Sequence, residues 1–233
     1  MHVLDNPAWH ALTGAQRSLA IGTADAKRFR PDVSPFAAVA DPDGPLDALA
    51  GLILPAASDA DADDALGVFG ASTGPDGWET LGVYDCWQLT YEHDTVPELR
   101  PLGDDAVLVE LGDADVPDAL DLVDRTRPGP FLPRTIEFGG YRGIRVGGRL
   151  AAMAGQRMRP DGWCEVSAVC VDPDFRGRGF AATAMVEVMR GIIARGERPF
   201  LHVETTNERA TSVYEALGFE RRRRASILVC RPR

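Results

Sequence analysis

The stretch Val169-Cys-Val-Asp-Pro-Asp-Phe-Arg-Gly-Arg-Gly-Phe-Ala181 decides the reading of this chain. Before it, Val166, Val169 and Val171 mark a β-rich segment that ends at Asp172-Pro173. After it, Ala181, Ala184, Met185, Val188 and Ile192 recur at helical spacing. A strand, a glycine loop and a helix N-terminus together make an anion site. Gly177 and Gly179 can adopt positive φ and let a ligand approach the main chain. The first-turn N–H groups of a helix lack partners within it, and the aligned peptide dipoles add partial positive charge there. Arg176 and Arg178 bring full charges to the same nest.

Two common phosphate loops do not fit. A P-loop requires a Lys after its last glycine, and none follows here; a dinucleotide fingerprint requires a third glycine where position 182 is Ala. The pattern that does fit is Arg-x-x-Gly-x-Ala, Arg176 to Ala181. Downstream, Arg195-Gly-Glu-Arg-Pro-Phe-Leu-His-Val-Glu204 reads as a helix end, a glycine stop and a strand. Thr206-Asn-Glu-Arg-Ala-Thr-Ser-Val-Tyr-Glu-Ala-Leu-Gly-Phe219 reads as a short helix, with Asn207 as N-cap, Ala210, Val213, Tyr214 and Leu217 on one face, and Gly218 as its stop. These two blocks, at this separation, resemble the acyl-CoA pyrophosphate loop and closing half of the GNAT N-acetyltransferase superfamily, in particular its FR47-like branch.

The rest of that domain can be placed around them. Ala106–Leu111 alternates as a strand, and Val116–Val123 has helix spacing after Asp113 and Asp115. Tyr141–Val146 and Arg149–Arg159 form a hairpin across Gly147-Gly148. Trp163–Val171 leads into the loop, and Ser226–Arg231 closes the sheet. The expected fold is α+β, a mixed and mostly antiparallel sheet flanked by helices, over residues 105–233.

Residues 1–100 differ in composition. They hold 16 Asp/Glu against 5 Lys/Arg, whereas 101–233 holds 19 against 20, which together give the net −10 of the chain. An Ala/Asp-rich run spans Ala56–Ala65 and reads as mobile surface. Two readings of residues 1–100 stand: a small acidic α/β domain with one solvated loop, or a degenerate second GNAT-like half that walls the substrate cleft. No phosphate loop occurs there, so no second CoA site is expected.

Composition excludes other classes. No run of 18 apolar residues and no signal-peptide pattern is present, so a soluble, cytoplasmic protein without a membrane partner is expected. Cys86, Cys164, Cys170 and Cys230 show no C-x-x-C spacing and read as buried thiols; the histidines form no H-x-x-x-H pair, so no metal is expected. Arg221–Arg224 is a basic run, but the pI near 4.9 argues against nucleic acid and for salt bridges to the acidic N-terminal part or a solvated hairpin.

The resemblance implies acetyl transfer from acetyl-CoA to a primary amine. Backbone N–H groups of Ala168, Val169, Cys170 and Val171 would align the pantetheine arm and the thioester carbonyl. Arg176, Gly177, Arg178, Gly179, Phe180 and Ala181 would hold the pyrophosphate, and Asn207 would bind the arm. Tyr214 stands at the family's general-acid position, although its helix face alone predicts a packed aromatic. Glu165 stands where several relatives carry a catalytic base, although an exposed strand-end Glu would look the same; His202 and Glu204 compete for that role. The acceptor is not spelled out. Arg125-Thr-Arg-Pro-Gly-Pro-Phe-Leu-Pro-Arg134 is rigid and basic where relatives place an acceptor lid, which suits a carboxylate-bearing small amine. A protein or peptide amine is the alternative acceptor, an acyl-CoA-binding regulator without turnover the alternative function, and a homodimer stays open.

Overall fold

The computed structural model describes residues 2–42, 44–53 and 65–233. In chain order the elements are α1 (Pro7–Thr13), β1 (Ala20–Gly22), β2 (Ala26–Phe29), β3 (Phe36–Val39), β4 (Leu66–Phe69), β5 (Trp78–Thr90), β6 (Ala106–Glu110), α2 (Val116–Thr126), β7 (Arg142–Val146), β8 (Arg149–Gln156), β9 (Trp163–Val171), α3 (Phe180–Ala194), β10 (Arg198–Glu204), α4 (Glu208–Ala216) and β11 (Glu220–Pro232). They form two compact units. One comprises Met1–Trp87, Met158–Asp161 and Arg223–Arg233; the other comprises Gln88–Arg157 and Gly162–Arg222. Among the described residues no helix is long and apolar enough to cross a membrane.

In the first unit, β1, β2 and β3 pair antiparallel in turn, β3 and β4 run parallel, and β4 pairs antiparallel with β11 through Ile227↔Phe69 to Cys230↔Leu66. Ala26, Ala37, Val39, Leu49, Leu52, Leu66 and Val68 make its core. β3 and β4 are buried at every position, which their unbroken apolar runs require. Of the Ala/Asp-rich run, 56–64 lie outside the described residues. The basic run starts β11 earlier than its apolar part suggests, because each arginine has an anchor. In this unit Arg223 pairs with Asp5 at 3.0 Å, and Arg224 pairs with Asp85 at 3.4 Å and lies over the Trp87 ring.

In the second unit, β6, β7, β8 and β9 pair antiparallel in sequence, and β10 joins β9 in parallel. The β7–β8 turn is the two-residue Gly147-Gly148 loop; both glycines have positive φ, the conformation that matches the twist of a tight hairpin. β8 is buried from Leu150 to Gln156 because α2 and α3 both pack on it. α3 turns Phe180, Ala184, Met185, Val188, Met189 and Ile192 inward. On the α2 side, Leu111, Leu122, Phe131, Ile136, Tyr141, Leu150, Met153, Ala168 and Cys170 form one cluster. Each large apolar side chain buried there contributes roughly 1.5–3 kcal/mol. At Gly155 a Cβ would lie 2.1 Å from the Tyr141 ring, so only glycine admits that ring across the sheet. The result is the α+β arrangement expected, a mixed sheet with helices on it.

Candidate active site

β9 carries the site, and two irregularities shape it. Opposite β8, Met153 pairs with Cys170 but Gly155 pairs with Ser167, so β9 has one residue more than its partner. The bulge includes Ala168, whose φ of 52° is left-handed. An alanine held there stores strain of about 1–2 kcal/mol, and a bulge frees backbone groups from the ladder and re-aims them. On its other edge, β9 pairs with β10 only through Arg198↔Trp163, Pro199↔Cys164 and Phe200↔Glu165. Beyond Glu165 the two strands part, although β9 runs on to Val171 and β10 to Glu204.

The loop after β9 is anchored by Asp172. Its Oδ1 accepts the Asp174 N–H at 3.0 Å, and its Oδ2 accepts from Arg149 Nη2 at 2.6 Å and Arg125 Nε at 3.1 Å. Burial alone would raise the Asp172 carboxyl; the Asp174 N–H and the Arg149 and Arg125 charges outweigh it, so the group is held below the usual carboxylate range. Gly177 and Gly179 follow at φ 81° and 78°. A Cβ at either would meet nothing within 4 Å, so the need for glycine is conformational and not steric. Gly179 is the N-cap of α3 and offers no side-chain cap, which leaves the first-turn N–H groups to a ligand or water. Arg176 is exposed; Arg178 bonds Asp105 at 2.6 Å and lies 4.6 Å over the Phe180 ring.

Asn207 caps α4, accepting the Ala210 N–H at 3.1 Å. Tyr214, further along α4, packs against Phe219. Its hydroxyl is pushed up to about 12, first by burial and then by Cys170, which places the phenol beside the bulged part of β9. The Cys170 thiol is itself raised to about 11 by burial, against a hydrogen bond from Thr126 at the end of α2. Tyr214 of α4 and Cys170 of β9 thus lie side by side, in the unit that also holds the glycine loop and Asn207.

Glu165 is fully buried, not an exposed strand-end residue. Arg157 donates Nε to its Oε2 and Nη2 to its Oε1, each at 2.7 Å, and His202 Nδ1 lies 2.7 Å from Oε1. Burial raises this carboxyl, but the Arg157 charge and bonds and the His202 bond outweigh it and bring it to about 2. The sequence motifs do not single out Arg157, although an arginine directly after the apolar run of β8 is a signal for a buried ion pair. The basic stretch read as an acceptor lid is also engaged differently. Arg125 bonds Asp121 and Asp172, Arg134 bonds Glu137, and Phe131 is buried edge-on to Tyr141. Arg125 thus serves the loop, Arg134 pairs locally and Phe131 serves the core, while Arg127 stays exposed. Among the described residues no group of His, Cys, Asp and Glu is arranged to hold a metal ion.

This geometry has relatives. A crystal structure of a GNAT-family protein from Novosphingobium aromaticivorans is 36% identical, superposes with a TM-score of 0.87, and is matched over 100% of both chains. This chain belongs to the GNAT family. Within it, the FR47-like protein family model matches residues 141–228. Among curated GNAT relatives, the N-alpha-acetyltransferase RimI of Mycobacterium tuberculosis is 38% identical over 84 residues, 35% of this chain and 52% of that protein. The mycothiol acetyltransferase of Saccharopolyspora erythraea is 39% identical over 66 residues, 28% of this chain and 22% of that protein. The chain thus spans about half of the first and about a fifth of the second.

Proposed function

We propose that this chain moves an acetyl group from acetyl-CoA to the primary amine of a small metabolite. The observation that carries the reading is one continuous run in which a strained bulge at Ala168 leads, through two left-handed glycines, to the uncapped N-terminus of α3. The first feature presents backbone donors where a thioester carbonyl would develop negative charge, and the second suits a pyrophosphate. Asn207 has its amide N–H groups left for the pantetheine arm after its oxygen caps α4. Tyr214 is the general acid: burial keeps its phenol protonated at neutral pH, and its place beside Cys170 on the bulged part of β9 sets it to give that proton to the leaving thiolate. We read Glu165 as a holding group rather than a base, since a carboxylate at about 2 with three hydrogen bonds accepts a proton poorly.

One relative is named for N-alpha-acetyl transfer and the other for mycothiol, so an α-amine and a small metabolite both stand as acceptor types. The free, buried cysteines suit a reducing, cytoplasmic setting. The test is calorimetry with CoA, followed by a screen of small amines and N-terminal peptides with thiol release as readout. Binding plus turnover of a small amine supports the proposal. Absence of CoA binding overturns it, turnover of peptides alone moves the acceptor to a protein amine, and binding without any turnover favours the regulatory alternative.

A further inference from the structure

Where the β9–β10 ladder stops, a chain of side chains takes over. The last paired residues are Glu165 and Phe200, and the next link is Glu165 to His202, two positions further along β10. The chain extends both ways. Arg157, directly after β8, grips Glu165 with two bonds. On the other side, Gln88 Nε2 lies 3.0 Å from His202 Nε2, and Arg222 Nη1 donates to Gln88 Oε1 at 2.6 Å. The inner members are dry: Glu165 is 0% and the His202 side chain 2% exposed, with Arg157 at 12%.

The donors and acceptors fix the proton positions. A guanidinium only donates, so Arg222 selects the oxygen of the Gln88 amide. The Gln88 nitrogen must then face His202, and because it only donates, His202 Nε2 must accept. Ionised Glu165 only accepts, so His202 Nδ1 must carry the hydrogen. Every bond in the chain points toward Glu165, and flipping the Gln88 amide would set its NH2 against Arg222.

We propose that Arg157, Glu165, His202, Gln88 and Arg222 form a positioning clasp that sets the gap between β9 and β10 where the acyl arm enters. They act on transfer through the β9 backbone, not by touching substrate. This rests on the acetyl-transfer reading above. A gap held by five interlocked side chains fixes the carbonyl against the backbone donors beyond Glu165, while the pyrophosphate is held separately at α3. Misplacement of about 1 Å can cost up to about 100-fold in rate without loss of ground-state binding.

Two measurements test the clasp. Imidazole 15N NMR of the wild-type protein at neutral pH, without ligand, is expected to show His202 as the neutral Nδ1–H tautomer. An Nε2–H tautomer or an imidazolium overturns the hydrogen-bond chain, whatever the protein catalyses. Gln88→Leu is then expected to lower kcat by about tenfold, with CoA affinity by calorimetry within about twofold of wild type. Leu122→Ala, in the α2 cluster away from the chain, serves as a comparably destabilised control and should show no such split below its melting temperature. If Gln88→Leu does not fold, Arg222→Met at the outer end should give the same split at about threefold. Unchanged kcat, or CoA affinity falling in step with kcat, overturns the positioning role. A wild type that binds no CoA instead sinks the acetyl-transfer reading and leaves the tautomer result standing.

Discussion

Arg125, at the end of α2, reaches Asp172 at the exit of β9 with Nε at 3.1 Å and Nη2 at 3.0 Å, across 47 positions of sequence. The bond ties the helix that flanks the bulged strand to the residue that starts the glycine loop. Asp172→Ala leaves two guanidinium groups without their shared acceptor and frees the Asp174 N–H. It is expected to cost about 1–3 kcal/mol in denaturant unfolding and to weaken CoA binding through the loop.

The same residue sets a pH dependence with a defined sign. The folded-state carboxyl is depressed, so its contribution is complete above the unfolded value of about 3.9 and is lost as pH falls through the lower folded value. Glu165 behaves alike, with its contribution fading from about 4.3 down to the folded value of about 2. The stability gap between wild type and Asp172→Asn, followed by denaturant melts at each pH, should be flat from pH 7 to about 5. It should shrink only below about pH 4. A gap that changes between pH 5 and 7 assigns the effect to another group.

Tyr214→Phe deletes a hydroxyl and keeps the contact with Phe219. A general acid contributes about 10²–10⁴-fold, so kcat should fall at least about tenfold with CoA affinity little changed. Because the phenol is raised to about 12, no loss of activity from its ionisation is expected below about pH 10. Turnover within about twofold of wild type reduces Tyr214 to a packing residue.

Gly179→Val places a β-branched residue at φ 78°, where the added Cβ has room but the backbone is strained. The expected stability cost is about 1–2 kcal/mol. CoA binding should fall much further than that, since the α3 N-terminus depends on the same conformation. Calorimetry showing unchanged CoA affinity removes the loop from the pyrophosphate site.

Ala168→Gly separates strain from function at the bulge. It relieves about 1–2 kcal/mol of left-handed strain but adds unfolded-state entropy worth about 0.4–1 kcal/mol, so melts should show a small net gain. Thiol release should slow, because a bulge freed of strain no longer fixes its N–H groups. A variant both more stable and fully active would mean that the strain at Ala168 has no part in transfer.

Much of this arrangement is legible in the chain because its signals are local. The Gly147-Gly148 hairpin, the Asn207 cap and the apolar stripe of α3 each need only a few neighbouring residues to be read, and each stands where the spacing places it. The illegible parts depend on partners far away in sequence. For Arg221–Arg224 the charge balance points to salt bridges with the acidic N-terminal part, as Arg223–Asp5 and Arg224–Asp85 form, but the partners Glu215 and Gln88 of Arg221 and Arg222 carry no sequence signal. Glu165 resembles an exposed strand-end acid until Arg157 and His202 close over it. Arg125 resembles a lid cation until Asp172 reaches it.

The Arg178–Asp105 bond has a consequence for how an anion would be received. At Arg178 an arriving phosphate does not meet a waiting cation; it meets one that already has a carboxylate, and binding at that side chain is an exchange of one anionic partner for another. Added salt screens the outgoing pair as well as the incoming one. The affinity of this loop for phosphate should therefore fall less steeply with ionic strength than its two arginines alone would suggest. Asp105→Asn should steepen that dependence while tightening binding at low salt.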